Sequence, residues 1–294
     1  MLVVLALILV AGLVYGWLRF GYFPGYLIRK RPVTITPNKD GEIRIVSCNV
    51  RYLTHLDLGK KSWFFRADKL VADVAAQTPG VIGFQEVTKW QYTYLVDTLT
   101  GYDSVITYRD NAKGSEGCPV FYNTDLYELV DKGSFWLSET PDVMSKDWGS
   151  GCYRVCSYVI LTDRASGKNF VVFNTHLDHV SDEARINGIR VVLDRITWFG
   201  GLPAVIMGDF NAEEDSVTYE NVTENFLDAR YEAAKATGAG TFHDWGQMEE
   251  RWRIDYFMIS KTGFRVLRYD VVDVMHDGAY ASDHNPIVLD VILN

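Results

Sequence analysis

Polar side chains that can bind a metal ion or move a proton stand at the ends of apolar runs in this chain. Carboxylate and amide oxygens are the ligands that a hard divalent cation prefers, and an imidazole beside a carboxylate can carry a proton. Such a set can hold a cation beside a phosphate and activate a water molecule. The candidates are Asn49, Glu86, His176, Asp209, Asn211, Asp255, Asp283 and His284.

Most of these residues have a structural interpretation when each is taken alone. Glu86 follows a short apolar run, where a glutamate is usually a solvated loop residue, and His176 could be a buried histidine with satisfied hydrogen bonds. Asp209 and Asn211 could form a strand-to-loop turn, although in extended backbone both would point to one side. Asp255 differs because it lies in an apolar run, where an unpaired carboxylate is costly. It needs a partner, and a histidine is the obvious one.

The charge distribution disfavours a polyanionic partner. The formal net charge is −9, and residues 1–32 carry four basic side chains and no acidic one, which leaves −13 for the rest. Nucleic-acid affinity comes largely from lysine and arginine on phosphates, so an acidic body repels DNA or RNA. Nucleic acid is therefore a possible partner that we do not favour. Among the four cysteines, Cys152 and Cys156 could pair in an oxidising compartment, but free thiols are favoured for a chain of this size.

The first 18 residues contain no charged side chain. As a helix they would be about 27 Å long, against a hydrocarbon core of about 30 Å. Arg19 can snorkel and the aromatic residues at 20–23 suit the interface, so the span can be completed. A cleaved signal peptide is the alternative, but residues 1–4 lack the basic n-region that it would need. We predict a single-pass anchor at 1–28. The basic cluster 29–31 favours a cytoplasmic body by the positive-inside rule, although large domains often translocate regardless of charge.

The rest of the chain predicts a linker at 29–41 and a single domain at 42–294, which we expect to be a monomer. Amphipathic periodicity predicts helices at 63–77, 90–99 and 184–199. Short apolar or alternating runs predict strands between and after them. Helices among antiparallel strands indicate an α/β (α+β) fold with two packed sheets and helices outside. The predicted strands are 43–48, 81–84, 102–108, 120–122, 126–130, 155–162, 169–175, 204–207, 256–259, 264–272 and 287–292.

The chain resembles the endonuclease/exonuclease/phosphatase superfamily, which includes DNase I-like nucleases, sphingomyelinases, inositol polyphosphate 5-phosphatases and deadenylases. The resemblance implies a four-layer α/β sandwich of two packed mixed sheets flanked by helices. Residues 135–141, 175–179 and 241–243 are closer to a bacterial branch of uncharacterised hydrolases. The segments that carry the resemblance are Ser47–Val50, Gly83–Val87, Asn174–His179, Gly208–Asn211, Arg253–Tyr256 and Ser282–Pro286, in the family's order.

The resemblance also implies roles for the candidate residues. Glu86 would be the principal ligand of Mg²⁺ or Mn²⁺, with Asn49 and Asp283 beside it. Asp209 would orient or deprotonate the attacking water, and Asn211 would donate to the phosphate or to that water. His284 would be the catalytic histidine held by Asp255, and His176 a second phosphate-contacting histidine held by Glu116. Each imidazolium would balance charge in the transition state.

Several residues keep two interpretations from sequence alone. His179 and His243 could contact substrate or serve surface and packing roles. Arg51 and Arg154 could reach a phosphate or form structural ion pairs. Trp136 and Trp148 could form an apolar rim or lie in the core. These positions are read from the sequence.

The resulting hypothesis is a membrane-tethered, divalent-metal-dependent phosphoesterase that hydrolyses a phosphodiester or phosphomonoester by in-line attack of water. The anchor and the acidic body favour a lipid headgroup, a sugar phosphate or another small substrate. A nuclease acting on single-stranded or structured nucleic acid is the alternative substrate class. A non-catalytic membrane-tethered scaffold with the same fold is the alternative of another kind.

Overall fold

The computed structural model describes residues 2–36, 41–238 and 240–294, so residues 37–40 of the predicted linker lie outside the described residues. The helices are α1 (Leu2–Phe20), α2 (Phe23–Arg29), α3 (Trp63–Ala76), α4 (Lys89–Thr98), α5 (Asp182–Thr197), α6 (Val217–Thr223) and α7 (Ala229–Glu232). Two short 3₁₀ turns lie at Gly59–Lys61 and Asp244–Gly246.

The strands are short, as the spacing of turn residues predicts. They are β1 (Val33–Thr34), β2 (Ile43–Asn49), β3 (Val81–Gln85), β4 (Val87–Thr88), β5 (Leu99–Thr100), β6 (Tyr102–Val105), β7 (Glu116–Gly117), β8 (Val120–Asn123), β9 (Tyr127–Trp136), β10 (Val155–Asp163), β11 (Asn169–His176), β12 (Ala204–Asp209), β13 (Phe226–Asp228), β14 (Lys235–Ala236), β15 (Asp255–Ser260), β16 (Phe264–Val271), β17 (Met275–His276), β18 (Ala279–Tyr280) and β19 (Ile287–Leu293).

Two large mixed sheets form the centre of the fold. One has six strands in the order β13-β15-β12-β11-β10-β9, and the other has seven in the order β14-β16-β19-β2-β3-β8-β6. Strands β2 and β3 are parallel, as are β11 and β12, whereas their outer neighbours β19 and β15 run antiparallel to them. This arrangement confirms the prediction of two packed mixed sheets.

Alternation along the strands sorts the apolar side chains into layers. Ile45 of β2 joins the core between the sheets, and the next residue, Val46, joins the core under α3 and α4. On the other sheet, Val172 faces the first sheet while Phe173 packs with Ile189 of α5. Successive side chains of a strand point to opposite faces, so each sheet needs cover on both sides. The four-layer sandwich follows.

One edge of this sandwich collects the candidate residues. The parallel pairs end together, because Asn49 is opposite Gln85 and His176 is opposite Asp209. The antiparallel neighbours start there, because Asp255 is opposite Asp209 and Asp283-His284 lead into β19. Carboxyl ends of parallel strands and amino ends of antiparallel neighbours lie at the same edge of a sheet. The topology therefore brings residues that are distant in sequence close together in space.

The structure adds elements that the sequence did not predict, such as α6, α7, β13 and β14, and it differs from the expectation at β9 and in the predicted linker. The strand predicted at 126–130 is part of a longer strand, β9, that continues to Trp136 and pairs along β10 through a register irregularity. The predicted linker begins within α2, and its next part forms β1, which pairs with β5 of the domain. The middle of β9 contains aspartate, lysine and glycine, so it lacks the alternation of apolar and polar side chains that predicts a strand. The second half of β9 was therefore not predicted.

Gly208 is required where β11 and β12 approach each other. Its φ is +138°, and a Cβ at this position would lie 1.9 Å from the carbonyl oxygen of Thr175. Any side chain must push β12 away from β11 one residue before Asp209. We expect Gly208→Ala to lower the free energy of unfolding by about 3 kcal/mol. That corresponds to a fall of roughly 6 °C or more in Tm for a domain of this size, measured by thermal unfolding.

Gly200→Ala is the matched control for this substitution. Gly200 also has a positive φ, +64°, but no atom lies within 4 Å of the position that a Cβ would take there. We expect it to cost about 1 kcal/mol, from backbone conformation alone. Equal effects of the two substitutions would contradict the requirement for a close approach at Gly208.

Candidate active site

Asp209 is the centre of the site. Its Oδ2 lies 3.0 Å from Asn49 Nδ2, 3.5 Å from His176 Nε2 and 3.7 Å from His284 Nε2. Its other oxygen accepts a hydrogen bond from the backbone N–H of Asn211. The residue is 1% exposed, so this carboxylate is held by residues from both sheets and is shielded from bulk water.

His284 and Asp255 form the acid–imidazole pair that the sequence predicts. His284 Nδ1 lies 2.9 Å from Asp255 Oδ2, so the pair leaves Nε2 facing Asp209. Burial disfavours the charged ring, but the carboxylates of Asp255 and Asp209 outweigh it and raise the pKa of His284 to about 10. At neutral pH the ring is therefore an imidazolium that presents a proton to the cleft. The partner that Asp255 required is this histidine.

His176 lies on the other side of Asp209. Its Nε2 is 2.9 Å from Nδ2 of Asn211, whose amide also donates to the carbonyl oxygen of Leu177. Burial and the positive charges of Arg154 and Arg109 lower the pKa of His176 well below its usual value. The two pKa values thus shift in opposite directions, upward for His284 and downward for His176, which opposes the expectation that both rings are imidazolium.

Glu116 lies in the same cleft, but its carboxylate is bound by Arg109. The guanidinium makes two contacts of 3.0 and 3.1 Å with its oxygens. Burial and the nearby charge of Glu86 raise the pKa of Glu116 to about 7. The structure thus brings Glu116 near His176 without showing the expected carboxylate–imidazole pair. Its role as the partner of His176 stays a prediction.

Asn49 and Glu86 lie at the ends of β2 and β3 in the seven-stranded sheet, next to Asp209 of the six-stranded sheet. Asn49 Nδ2 donates to Glu86 Oε1 at 3.1 Å, and the second oxygen of Glu86 accepts from the backbone N–H of Tyr52. The amide oxygen of Asn49 accepts from the backbone N–H of Arg51. In this orientation Asn49 bridges two carboxylates as a donor. The resemblance implies that Asn49 lies beside the metal, directly or through water, and direct ligation by its oxygen would require the amide to turn over.

Three residues of the site have left-handed backbone. The φ angles are +54° at Arg51, +62° at Glu86 and +48° at Asn211. Asparagine tolerates this region, but arginine and glutamate are held there at a cost of about 1 kcal/mol or more each. Such strain persists where surrounding contacts hold the backbone, and here it aims the Glu86 side chain into the cleft.

The donor set fits a divalent cation. Glu86, His176 and Asp209 each place a ligand atom within 4.8 Å of the others. Burial and neighbouring acids raise the pKa of Asp209 to about 7, and burial also raises that of Asp283. A cation among these carboxylates would offset their mutual repulsion. Glu86 and Asp283 interact through their charges, but the compact group has His176 and Asp209 in place of the predicted Asp283 and Asn49.

Two arginines hold the loops that carry Asn49 and Asp283. Arg51 lies 3.3 Å from Asp57 and 3.6 Å from Asp283, so it is an ion-pair partner within the cleft wall. Arg66 of α3 is fully buried and donates to the carbonyl oxygens of Val50, Arg51 and Ala281, among others. Burial lowers the pKa of Arg66 to about 10. Arg66 was not predicted from sequence, although a charged residue between apolar helix positions is a signal for such a role.

A buried amide network lies directly below the site and was not predicted either. Gln85 Nε2 donates to Asn174 Oδ1 at 2.6 Å and to Ser47 Oγ at 3.0 Å. Asn174 in turn donates to the carbonyl oxygens of Phe84 and Pro119, at 2.8 Å each. The network joins the two sheets one residue before Glu86 and two before His176. Polar residues inside otherwise apolar strands were the available signal.

Thr241 supports the acid–imidazole pair. Its Oγ1 accepts from the backbone N–H groups of Ile254 and Asp255, at 3.2 Å each. The next residue, Phe242, lies against the ring of His284, with ring centroids 4.8 Å apart. His243 is fully buried and accepts from the backbone N–H of Gly246, so it is a packing residue. The segment 241–243 therefore positions the pair formed by Asp255 and His284.

The cleft above these residues has a volume of about 820 Å³. The arginines that line it are Arg51, Arg109, Arg154 and Arg185, and each forms an ion pair with a neighbouring acid. Aromatic rings and further acids also line it, namely Tyr52, Phe242, Trp245, Trp252, Glu213, Asp215 and Asp244. Cationic side chains can bind a phosphate, and carboxylates can accept hydrogen bonds from hydroxyl groups. Together with the aromatic rings, they suit a small substrate that has a phosphate and several polar groups.

The structure gives defined contacts to the residues that had two interpretations from sequence. Arg154 is buried and pairs with Asp178 at 3.3 Å, and its Nη2 lies 2.8 Å from His179 Nδ1. His179 is exposed and lines the cleft. Trp136 donates to the carbonyl oxygen of Arg109 and has a structural role. Trp148 also lies outside the residues that line the cleft, so the aromatic rim comes from other residues. The four cysteines, including Cys152 and Cys156, are free.

Comparison with known proteins agrees with this geometry. An endonuclease/exonuclease/phosphatase protein from Bacteroides vulgatus is 33% identical, aligns over 86% of this chain and 99% of its own, and gives a TM-score of 0.82. A mannosyl-6-phosphatase from Bacteroides thetaiotaomicron is 29% identical over 85% of this chain and 100% of its own, with a TM-score of 0.77. An uncharacterized protein of Acanthamoeba polyphaga mimivirus is 25% identical over 77% of this chain and 91% of its own.

The chain also matches fungal Ccr4 exoribonuclease subunits, but it spans only 23% of the length of the one from Emericella nidulans. A family model described as the endonuclease/exonuclease/phosphatase family matches residues 46–284, which include every candidate catalytic and metal-binding residue. The fold, the converging site and this match lead to one conclusion: the chain belongs to the endonuclease/exonuclease/phosphatase family.

Proposed function

We propose that this protein is a divalent-metal-dependent phosphoesterase that acts on a small, polyhydroxylated phosphoester, such as a sugar phosphate or a lipid headgroup. The observation that carries the proposal is the position of Asp209. A buried carboxylate lies within 4 Å of two imidazoles and of the amide of Asn49, at the floor of a cleft. That arrangement places a proton acceptor among groups that can bind a phosphate.

The residues divide the work of in-line hydrolysis. Mg²⁺ or Mn²⁺, held by Glu86 and its neighbours, would neutralise charge on the phosphate oxygens. Asp209 accepts a proton from the attacking water as its oxygen bonds to phosphorus, while the ester P–O bond opposite it breaks and the leaving oxygen takes up a proton from solvent. The Nε2–H of His284 donates to a phosphate oxygen, and Asp255 fixes the ring with its charge in place. Asn211 and His176 border the same space and orient the phosphate.

The walls of the cleft support a small substrate. Carboxylates at Glu213, Asp215 and Asp244 would repel a second phosphate but can accept hydrogen bonds from hydroxyl groups. The rings of Trp245 and Trp252 can pack on the apolar face of a sugar. The similarity to a mannosyl-6-phosphatase supports a sugar phosphate as one such substrate. A nuclease is the weaker candidate because the net negative charge of the chain opposes a polyanion.

The protein is proposed to act at a membrane, as a monomer. The stretch 4–29 is long and apolar enough to cross a bilayer, with a mean hydropathy of 1.9 and an apolar window that is not buried in the protein, and α1 is the part of it that would span. A signal sequence would pass the same test of length and composition. The membrane face of the catalytic domain stays a prediction, with the cytoplasmic side favoured by the basic residues that follow the helix.

A panel of substrates tests the proposed function. Purified full-length protein in detergent is assayed with Mg²⁺ and Mn²⁺ on sugar 6-phosphates, phospholipid headgroup esters, nucleotides and single-stranded oligonucleotides. We expect kcat/KM to be highest for a sugar phosphate or a headgroup ester, and to depend weakly on salt. Fastest turnover of oligonucleotides, with a steep loss of activity as salt rises, would overturn the substrate class in favour of the nuclease. Asp125→Asn, an exposed turn variant, controls for loss of an unrelated charge.

A further inference from the structure

The segment that follows α1 is docked on the catalytic domain. Tyr22 packs on Phe65 with ring centroids 4.9 Å apart, and Phe23 packs on Phe64 at 5.0 Å. Tyr26 is buried between the rings of Phe64 and Tyr94.

Polar and backbone contacts reinforce this docking. Arg29 pairs with Asp68 at 2.9 Å, Lys30 pairs with Asp97, and β1 adds to β5. Burial of aromatic side chains on this scale holds the segment in one position, whereas a flexible tether makes no such contacts. The docked segment therefore fixes the direction in which α1 leaves the domain.

The last turns of α1 lie beside the loop formed by residues 51–62. Tyr15 Oη is 3.4 Å from the carbonyl oxygen of His55, and Ser62 Oγ is 3.5 Å from the carbonyl oxygen of Arg19. Arg19 also stacks on the ring of Phe64, 5.3 Å from its centroid. The 51–62 loop thus lies at the same level along the helix axis as residues 15–19.

The length of α1 then places this loop at the bilayer surface. The 19 residues of α1 form a helix about 28 Å long, close to the hydrocarbon thickness of about 30 Å. A helix of this length can span only if its last turns, from Tyr15 to Phe20, lie at the edge of the hydrocarbon. Any part of the domain at that level must then touch the headgroups.

The 51–62 loop is also a wall of the catalytic cleft. Its first residues, Arg51 and Tyr52, line the cleft. At its other end Lys61 lies 5.5 Å from the ring of Trp245, which lines the cleft as well. The loop therefore joins the membrane-proximal end of α1 to the entrance of the active site.

Exposed side chains of the loop and of the neighbouring α2 suit a lipid surface. Leu56, at the tip of the loop, is 70% exposed, and Leu27 and Ile28 of α2 are 57% and 68% exposed. Lys60 of the loop is also exposed. Exposed apolar residues near basic ones favour the interface of a bilayer with anionic lipids.

We propose that the 51–62 loop is a membrane-contact surface that holds the mouth of the catalytic cleft at the lipid headgroups. The enzyme then takes a phosphoester that is presented at the membrane surface. This inference rests on the proposed membrane span, and the contact itself does not depend on catalytic activity. Its partner is a lipid bilayer.

Site-specific fluorescence tests this proposal without a substrate. Full-length protein with Cys152→Ser, in which the remaining native cysteines are buried, carries one added cysteine labelled with an environment-sensitive dye. The labelled positions are Leu56→Cys in the loop, Leu9→Cys in α1 and Val130→Cys on β9, all exposed apolar sites. The protein is reconstituted in vesicles of phosphatidylcholine and phosphatidylglycerol, with or without acyl chains that carry a bromine quencher.

The proposal predicts strong quenching at position 9, shallower quenching with a blue-shifted emission at position 56, and neither at position 130. Ile28→Cys provides a second position at the predicted interface, should the loop variant misfold. Quenching at 9 combined with equal, unquenched emission at 56, 28 and 130 would overturn the contact while leaving the span intact. Absence of quenching at 9 would overturn the span as well. A blue shift at 56 that persists in detergent and ignores the quencher would indicate a second copy of the chain and also overturn the proposal.

Discussion

Asp209→Asn is expected to lower kcat by at least about a hundredfold while leaving the protein as stable as the wild type or more so. The substitution keeps the shape of the side chain but removes the proton acceptor, and general-base groups typically contribute 10²- to 10⁴-fold. It also removes a negative charge that faces Nε2 of His284 at 3.7 Å. The measurement is kcat on the best substrate of the panel, together with Tm.

The stability half of this expectation has its own physical reason. Asp209 is 1% exposed, and burial raises its pKa to about 7, so the folded protein holds a carboxylate whose charge costs free energy. A neutral amide avoids that cost. A fall in activity with unchanged Tm would locate the effect in the chemistry, whereas a parallel collapse of both would indicate a structural role.

Two further variants provide a negative control and a comparison with a second residue of the site. Asp125→Asn removes an exposed charge from the turn between β8 and β9 and should leave kcat unchanged. His284→Ala removes the imidazolium on the other side of the phosphate position and should also cost about a hundredfold. Retention of more than a tenth of wild-type kcat by Asp209→Asn would argue against its assignment as the base.

The sequence predicted which residues lie close together, because motif residues stand at the ends or starts of recognisable strands, whereas their catalytic and metal-binding roles stay a prediction from the family resemblance. Asp209, Asp255 and His284 lie together in the structure, and the pairing of Asp255 with His284 answers the need for a partner that burial had indicated. The order of apolar runs also predicted the two sheets with helices outside. Periodicity reports which face of an element is buried, and a strand end is a fixed place in a sheet.

Other parts could not be predicted because they depend on partners distant in sequence. Glu116 was matched to His176, but the choice between an arginine and an imidazole partner is decided by where Arg109 lies. The role of Arg66 arises from three carbonyl groups that only the fold assembles. The segment after α1 was assigned to the end of the anchor and to the linker, because the cover for its aromatic residues on α3 and α4 exists only in the fold.

The second large effect is expected for Glu86→Gln, as a loss of metal binding. Glu86 supplies a full negative charge to a group whose ligand atoms lie within 4.8 Å of one another, and its strained backbone aims that charge into the cleft. Loss of an outer-shell partner alone weakens metal sites by 10- to 100-fold, so loss of a charged ligand should weaken Mg²⁺ or Mn²⁺ binding by at least about a hundredfold. Titration calorimetry on the purified protein measures this without a substrate.

Thermal stabilisation by the metal gives an independent measure of the same site. At a metal concentration of 100 times Kd, binding should stabilise the wild-type protein by about 2.7 kcal/mol, and a hundredfold weaker site should retain only about 0.4 kcal/mol at that concentration. Glu128→Gln, at an exposed ion pair with Arg164, is the matched control and should respond to metal as the wild type does.

The two measurements also separate the enzyme from the scaffold. A non-catalytic scaffold that keeps only the fold has no need to bind a cation at Glu86. Equal metal affinity and equal stabilisation in the wild type and Glu86→Gln would remove Glu86 from the site. Absence of binding in both would remove the cation from the proposed mechanism, and with it the reason for assembling these buried carboxylates at one edge of the sandwich.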